Sequence, residues 1–234
     1  MDFRTEWFAP ALHTAACAVL LILLAACAKP ALASLRARPQ ACGVLLCFFA
    51  AFWSLDAGAD GGLTGGLRYH LLGVPLGCLM IGAPAVLWLA ALFMPLHLLL
   101  SAGQGGLAVW PLDVLFAVLP AAAVAETLKY AVRRFLPPNL FLYIFINGFF
   151  AAALGMLAAG AAAVALLAHT ETFAAADLWR RSFPVFFLLG WGEAFLTGLF
   201  AAVFVAFKPH LLASFDDAHY LRRRNSIWPS ENQP

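Results

Sequence analysis

Runs of about twenty apolar residues recur along almost the whole chain, and this recurrence restricts the possible fold more than any other feature. A bilayer core of about 30 Å needs about 20 apolar residues in a helix. The 234 residues are 64% hydrophobic and 11% charged, whereas soluble domains carry about 25% charged residues. The chain therefore lacks the polar surface of a water-soluble protein. We predict an all-α, polytopic integral membrane protein whose surroundings are membrane lipid.

The apolar runs predict about seven transmembrane helices in a single transmembrane domain that covers residues 1–234. The predicted spans are Phe8–Ala28, Ala41–Leu55, two short helices within Tyr69–Ser101, Leu107–Leu128, Leu140–Ala168 and Phe183–Phe207. Tyr69–Ser101 is too long for one comfortable span and barely long enough for two, and a re-entrant element would also fit its length. The break Gly82-Ala83-Pro84 near its middle favours two short helices.

Basic residues predict the orientation, because cytoplasmic loops carry an excess of Lys and Arg. Three basic stretches follow apolar runs, and they contain Lys29, Arg36 and Arg38; Lys129, Arg133 and Arg134; and Lys208 with Arg222, Arg223 and Arg224. The first two stretches share one side of the membrane only if an even number of spans separates them, which requires two spans within Tyr69–Ser101. We therefore predict the N-terminus outside and the C-terminus inside, with a short cytoplasmic tail from about residue 209.

The sequence carries no motif for hydrolytic or nucleotide-dependent catalysis. It contains no HExxH, no GxSxG and no GxxxxGK[ST], and its five cysteines form no CxxC pair. The basic residues are spread over loops rather than gathered in a patch, so nucleic acid is not an expected partner. We expect a protein that is not an enzyme and that holds no permanently bound cofactor.

Polar side chains inside apolar spans are costly, so each is a candidate functional or structural residue. Glu193 lies about ten residues into the last predicted span, and Asn147 lies within the sixth. A carboxylate at that depth must be protonated, paired or directed at a polar cavity. Structural bonding between helices fits Glu193 as well as a functional role does, and fits Asn147 better. Glu126 and Lys129 have the i,i+3 spacing of a local ion pair at a helix end.

The stretch RYHLLGVPLGCLMIGAP, from Arg68 to Pro84, combines an imidazole with several glycine and proline breaks. Broken backbone at membrane depth persists only where it is buried in protein or lines a cavity. His70 is therefore a candidate ligand-binding residue, although a histidine that caps the end of a span beside closely packed glycines fits the same residues. His13 and His97 fit hydrogen-bonded interfacial histidines better than ligands.

Several segments together resemble a known family. They are YHLLGVPLG at 69–77 with IGAP at 81–84, GEAFLTG at 192–198, PPNL at 137–140 with NGFF at 147–150, and the tail at 215–221. The chain is similar in these segments to the CbiM/NikM family, the substrate-capture proteins of cobalt/nickel energy-coupling-factor (ECF) ABC transporters. The resemblance implies a seven-helix membrane protein.

The resemblance also implies a metal site and a set of partners. In that family nitrogen donors hold the metal: the free N-terminus, a histidine at position two, and a histidine matched here by His70. This sequence has Asp2 at the second position. Either the metal site is rebuilt with a contribution from His13 or Asp2, or the chain carries a substrate other than this metal.

On the first alternative the chain is a substrate-capture permease subunit for transported Co²⁺ or Ni²⁺ in the bacterial cytoplasmic (inner) membrane. It then depends on separate ATPase subunits and on a transmembrane coupling subunit. The rival interpretation is a membrane scaffold or assembly protein that keeps the fold and has lost metal transport.

Overall fold

The apolar runs form helices in the computed structural model, which describes residues 3–55, 57–58, 67–100, 106–170, 173–216 and 220. Within these residues the helices are α1 (Pro10–Ala37), α2 (Pro39–Ser54), α3 (Val74–Ile81), α4 (Ala83–Leu100), α5 (Leu107–Phe135), α6 (Leu140–Ala168) and α7 (Ala175–Phe207). Five of them, α1 and α4 to α7, are long and apolar enough to cross a membrane. The predicted all-α membrane bundle is confirmed.

Short irregular elements complete the described chain. Thr5–Trp7 and Pro209–Leu211 are single 3₁₀ turns, and the strands β1 (Ala57–Gly58) and β2 (Arg68–Tyr69) pair antiparallel. The helices α5, α6 and α7 each contain a π-helical stretch, at Val114–Val118, Tyr143–Phe150 and Leu178–Ser182. The sequence-based predictions also refer to Asp2, Ser101, residues 217–219 and residues 221–224, which lie outside the described residues.

The third crossing of the bundle is helical only in its second half. Residues 67–73 precede a helix, α3, of eight residues, which measures about 12 Å. The seven residues before it can span at most about 25 Å, so residues 67–81 have enough length to reach across a bilayer core of about 30 Å. The break predicted at Gly82 is confirmed, with a φ of 81°. The first of the two predicted short helices, however, begins only at Val74, because Gly73 is left-handed (φ 68°) and Pro75 lies in the first turn.

The first two basic stretches, which contain Arg38 and Arg133, lie at the same end of the bundle as the start of the tail. Arg38 donates from Nη1 to the carbonyl oxygen of His210 at 3.1 Å, and Arg133 donates from Nη2 to that of Ser214 at 3.1 Å. Arg38 and Arg133 therefore lie at one end of the bundle, as the shared side predicted for the two basic stretches requires. We call this the basic end, and the end that carries β1 and β2 the hairpin end.

Several predicted boundaries need correction. Helix α1 continues through Pro30 to Ala37, so Lys29 and Arg36 are on a helix rather than in a loop. One proline removes a single backbone hydrogen bond, and the alanines and leucines that follow are strong helix formers. Helix α7 begins at Ala175 rather than at Phe183. The predicted ion pair is confirmed, with 2.5 Å between Lys129 Nζ and Glu126 Oε1, but it lies within α5 rather than at its end, because the helix continues past the predicted Leu128 to Phe135.

Small residues allow α6 and α7 to pack closely. A β-carbon on Gly160 of α6 would lie 2.6 Å from the β-carbon of Phe186 on α7, and one on Gly148 would lie 3.3 Å from the α-carbon of Gly198. Helices in lipid associate through such close backbone approach because apolar surface alone provides little attraction between them. The contact fixes α7, which carries Glu193, against α6.

We expect Gly160→Ala to destabilise the purified protein by about 1–3 kcal/mol, because the new methyl group overlaps Phe186. Gly43→Ala in α2 is the matched control, since a β-carbon there has no atom within 4 Å. The control gains helix propensity and should melt at or slightly above the wild-type temperature. Thermal melting in one detergent measures both variants. Equal melting temperatures for the two would contradict the packing account.

Membrane orientation is tested by labelling single cysteines in a background that lacks the five native cysteines. We place one cysteine at Pro137, at the basic end, and another at His169, at the hairpin end; both positions are exposed. A membrane-impermeant maleimide added to intact cells should label the His169→Cys protein, and should label the Pro137→Cys protein only after lysis. The reverse pattern would overturn the N-out, C-in orientation.

Candidate functional site

His70 follows β2 directly and lies at the hairpin end, where its side chain is only 1% exposed. Its Nδ1 is 2.8 Å from the carbonyl oxygen of Leu71. A carbonyl oxygen can only accept, so this bond assigns the ring hydrogen to Nδ1 and the lone pair to Nε2. Metal-bound histidines usually donate their second ring nitrogen to a carbonyl or carboxylate in this way. The local geometry of His70 therefore suits a ligand better than a simple helix cap.

Aromatic side chains from α2 support the stretch that carries His70. Trp53 is completely buried, and its Nε1–H donates to the carbonyl oxygen of Leu72 at 3.0 Å. The Trp53 ring stacks on Phe49 at 4.8 Å and contacts the His70 ring at 5.6 Å between centroids. The indole thus binds the backbone beside His70 and limits the movement of the imidazole.

Glu193 holds the same stretch from the opposite side. Its two carboxylate oxygens accept hydrogen bonds from the backbone N–H groups of Leu72, at 2.8 Å, and Gly73, at 2.6 Å. Gly73 precedes the first residue of α3, so the carboxylate lies where the helix dipole favours negative charge. Glu193 therefore hydrogen-bonds the His70 stretch to α7, which is the kind of contact that a structural role requires.

A second buried carboxylate, Asp113, was not singled out from the sequence. It is completely buried near the start of α5, and its Oδ1 accepts the backbone N–H of Phe3 at 3.1 Å. The bond anchors the beginning of the described chain to the hairpin end. Its signal in the sequence is the same as that of Glu193, a carboxylate within an apolar span.

His13 and Asn147 occupy other surroundings, whereas His97 lies beside His70. His13 Nε2 is 3.3 Å from the carbonyl oxygen of Thr5, and its ring meets Phe8 edge to face. Asn147 is buried in the π-helical stretch of α6, and neither atom of its amide has a hydrogen-bond partner in the described part of the chain. His97, which the sequence indicated to be an interfacial residue, has its ring 5.6 Å from that of His70.

The described residues contain no group of three or more His, Cys, Asp and Glu side chains that is arranged to hold a metal ion. The hairpin end instead brings together a pair of histidines, an indole and two backbone-bonding carboxylates. Such an arrangement offers nitrogen ligands at a position where the neighbouring backbone is fixed on both sides.

A comparison with known families matches residues 5–211 to CbiM, described as the cobalt uptake substrate-specific transmembrane region. The chain belongs to the CbiM family. The match covers α1 to α7 and therefore includes both His70 and Glu193.

Two solved structures share the fold of this chain. One is a crystal structure of a transition metal transporter, with a TM-score of 0.72, 17% sequence identity, and coverage of 88% of this chain and 93% of that one. The other is a crystal structure of a truncated transition metal transporter, with a TM-score of 0.73, 17% identity, and coverage of 88% and 98%. A search of curated proteins found no match.

Because Glu193 accepts two hydrogen bonds, substitutions at this position should lower the stability of the protein to different degrees. Glu193→Gln keeps one acceptor but turns an amide group towards the other N–H, and should cost about 1–3 kcal/mol. Glu193→Leu leaves both N–H groups buried and unpaired, and should cost more. Glu6→Gln, an exposed carboxylate, is the control and should be neutral. Melting temperatures rank the four proteins, and a Leu variant as stable as the wild type would contradict the assignment.

Proposed function

We propose that this CbiM-family protein is the substrate-capture subunit of an ECF-type importer for a divalent transition metal, Co²⁺ or Ni²⁺. The observation that carries the proposal is His70, buried at the hairpin end with Nδ1 bonded to a carbonyl oxygen, which is the tautomer of a histidine that binds metal through Nε2. Neutral imidazole is a good ligand for both ions. The family match and the fold shared with a transition metal transporter support the same substrate class.

Capture at the hairpin end fits the way the third crossing is built. The stretch that carries His70 is not helical, and three of its backbone groups, the C=O and N–H of Leu72 and the N–H of Gly73, are hydrogen-bonded by Trp53 and Glu193. Irregular backbone of this kind is found at substrate sites of membrane transporters, because it supplies ligands while remaining shielded from lipid. On the predicted orientation this end faces outwards, where an ion arrives.

The proposal includes partners and a location. Because the sequence carries no GxxxxGK[ST] motif, energy would come from separate ATPase subunits, and a transmembrane coupling subunit would transmit it. The complex would lie in the bacterial cytoplasmic membrane. The rival interpretation is a scaffold or assembly protein with the same fold, and it is favoured by Asp2 at the position where the resemblance implies a histidine.

Metal titration of purified protein separates the two interpretations. The protein carries a C-terminal tag without histidines, so that the amino terminus is unaltered and the tag binds no metal. We expect the wild type to bind Ni²⁺ or Co²⁺ weakly in titration calorimetry. His70→Ala should abolish the heat of binding because it removes the imidazole. Asp2→His should strengthen binding by at least about tenfold, because it adds a nitrogen ligand.

His169→Ala is the matched control, because His169 is an exposed histidine at the same end of the bundle. It should bind metal as the wild type does. If the wild type and His70→Ala bind equally, or if neither binds, the metal-capture proposal fails and the scaffold interpretation replaces it.

A further inference from the structure

A second histidine faces His70 at the hairpin end. His97 lies in the last turn of α4, is 8% exposed, and has its ring centroid 5.6 Å from that of His70 at an interplanar angle of 66°. The two residues are far apart in sequence and come from different elements, the non-helical stretch and α4. Their proximity is therefore a product of packing.

The separation of the two rings suits a shared ion. Imidazole nitrogens bind divalent transition metals at about 2.0–2.1 Å, so two imidazoles on one ion have ring centroids about 4–6 Å apart. The tilt of 66° differs from the parallel stacking that would turn both nitrogens away from a common point.

The Trp53 ring contacts both histidine rings and restricts their movement. It contacts His70 at 5.6 Å and His97 at 5.5 Å, so it supports both imidazoles from one side. Its only N–H is already donated to the carbonyl oxygen of Leu72, and the indole therefore does not compete for an imidazole nitrogen. Phe93, one turn before His97 in α4, packs on the same indole at 5.4 Å. The surroundings keep the two rings side by side with little freedom.

We propose that His97 is a metal ligand that acts together with His70, so that two imidazoles from two different elements hold the captured ion. The inference rests on the proposed function, because it names a further residue of the same site. One imidazole is a weak ligand for a divalent ion, and a second one held at the right distance raises affinity without new ordering of the chain. The site joins α4 to the third crossing, so an occupied site ties these two elements together.

The test uses full-length protein loaded with Ni²⁺, with the same histidine-free C-terminal tag. X-ray absorption spectroscopy counts coordinated imidazoles through their characteristic scattering, and calorimetry gives the affinity. The wild type should show two imidazoles, and His97→Phe should show one. The affinity of His97→Phe should fall by at least about tenfold, since loss of even an indirect partner of a metal ligand costs about 10–100-fold.

Phenylalanine is chosen because it keeps a ring against Trp53. His169→Phe is the matched control, and it should retain two imidazoles and wild-type affinity. The melting temperature of each metal-free protein shows whether the substitution has disturbed the fold. If His97→Phe does not fold, the wild-type spectrum decides alone, because a single coordinated imidazole overturns the inference.

The outcomes distinguish the inference from the function on which it rests. If the wild type binds Ni²⁺, His70→Ala does not, and His97→Phe binds with wild-type affinity, then His97 is a packing residue and the capture function stands. If the wild type binds neither Ni²⁺ nor Co²⁺, the capture function fails, and the role of His97 fails with it.

Discussion

The paired hydrogen bonds from Leu72 and Gly73 to the carboxylate of Glu193 are the interaction on which the site depends. A chain that crosses a bilayer outside a helix exposes backbone groups that lipid cannot satisfy. Here α7 supplies a carboxylate for two N–H groups, and α2 supplies the Trp53 indole for the carbonyl oxygen of Leu72. These bonds make a non-helical half-crossing possible, and that half-crossing carries His70.

The opposite end of the same crossing is held by comparable bonds. The last carbonyl groups of α3 accept hydrogen bonds from remote parts of the chain: Ile81 from the Ser34 hydroxyl at 2.6 Å, Met80 from the Ala213 N–H at 3.1 Å, and Leu79 from the Ser214 N–H at 3.1 Å. A helix of eight residues is too short to be stable by itself. The buried α3 therefore depends on α1, α7 and the start of the tail.

The close packing of α6 against α7 and the hydrogen bonds at the ends of α3 also hold the site in place. The contact between Gly160 and Phe186 positions the helix that carries Glu193, and Glu126 accepts the Ala83 N–H at 3.1 Å, which fixes the start of α4. His97 lies at the other end of α4. The distance between the two histidines is thus set by elements whose positions are fixed at both ends of the bundle.

Local properties of the sequence determined the class of protein. Apolar runs and scarce charges predicted the membrane bundle, Gly82-Ala83-Pro84 predicted the break between α3 and α4, and the i,i+3 spacing predicted the ion pair of Glu126 with Lys129. The count of basic stretches predicted an even number of crossings between them. Each of these features depends on residues that are close together or counted along the chain, and for that reason the sequence alone predicts them.

Only the tertiary structure decided how the site is assembled. It joined Glu193 to Leu72, Asp113 to Phe3, and His97 to His70, and it showed that the stretch before α3 is not helical. Hydropathy and periodicity report whether a segment is buried, but they do not report which distant segment it meets. The hydrogen bonds that make non-helical backbone tolerable in lipid come from other helices. The first of the two short helices predicted within Tyr69–Ser101 is therefore only partly formed.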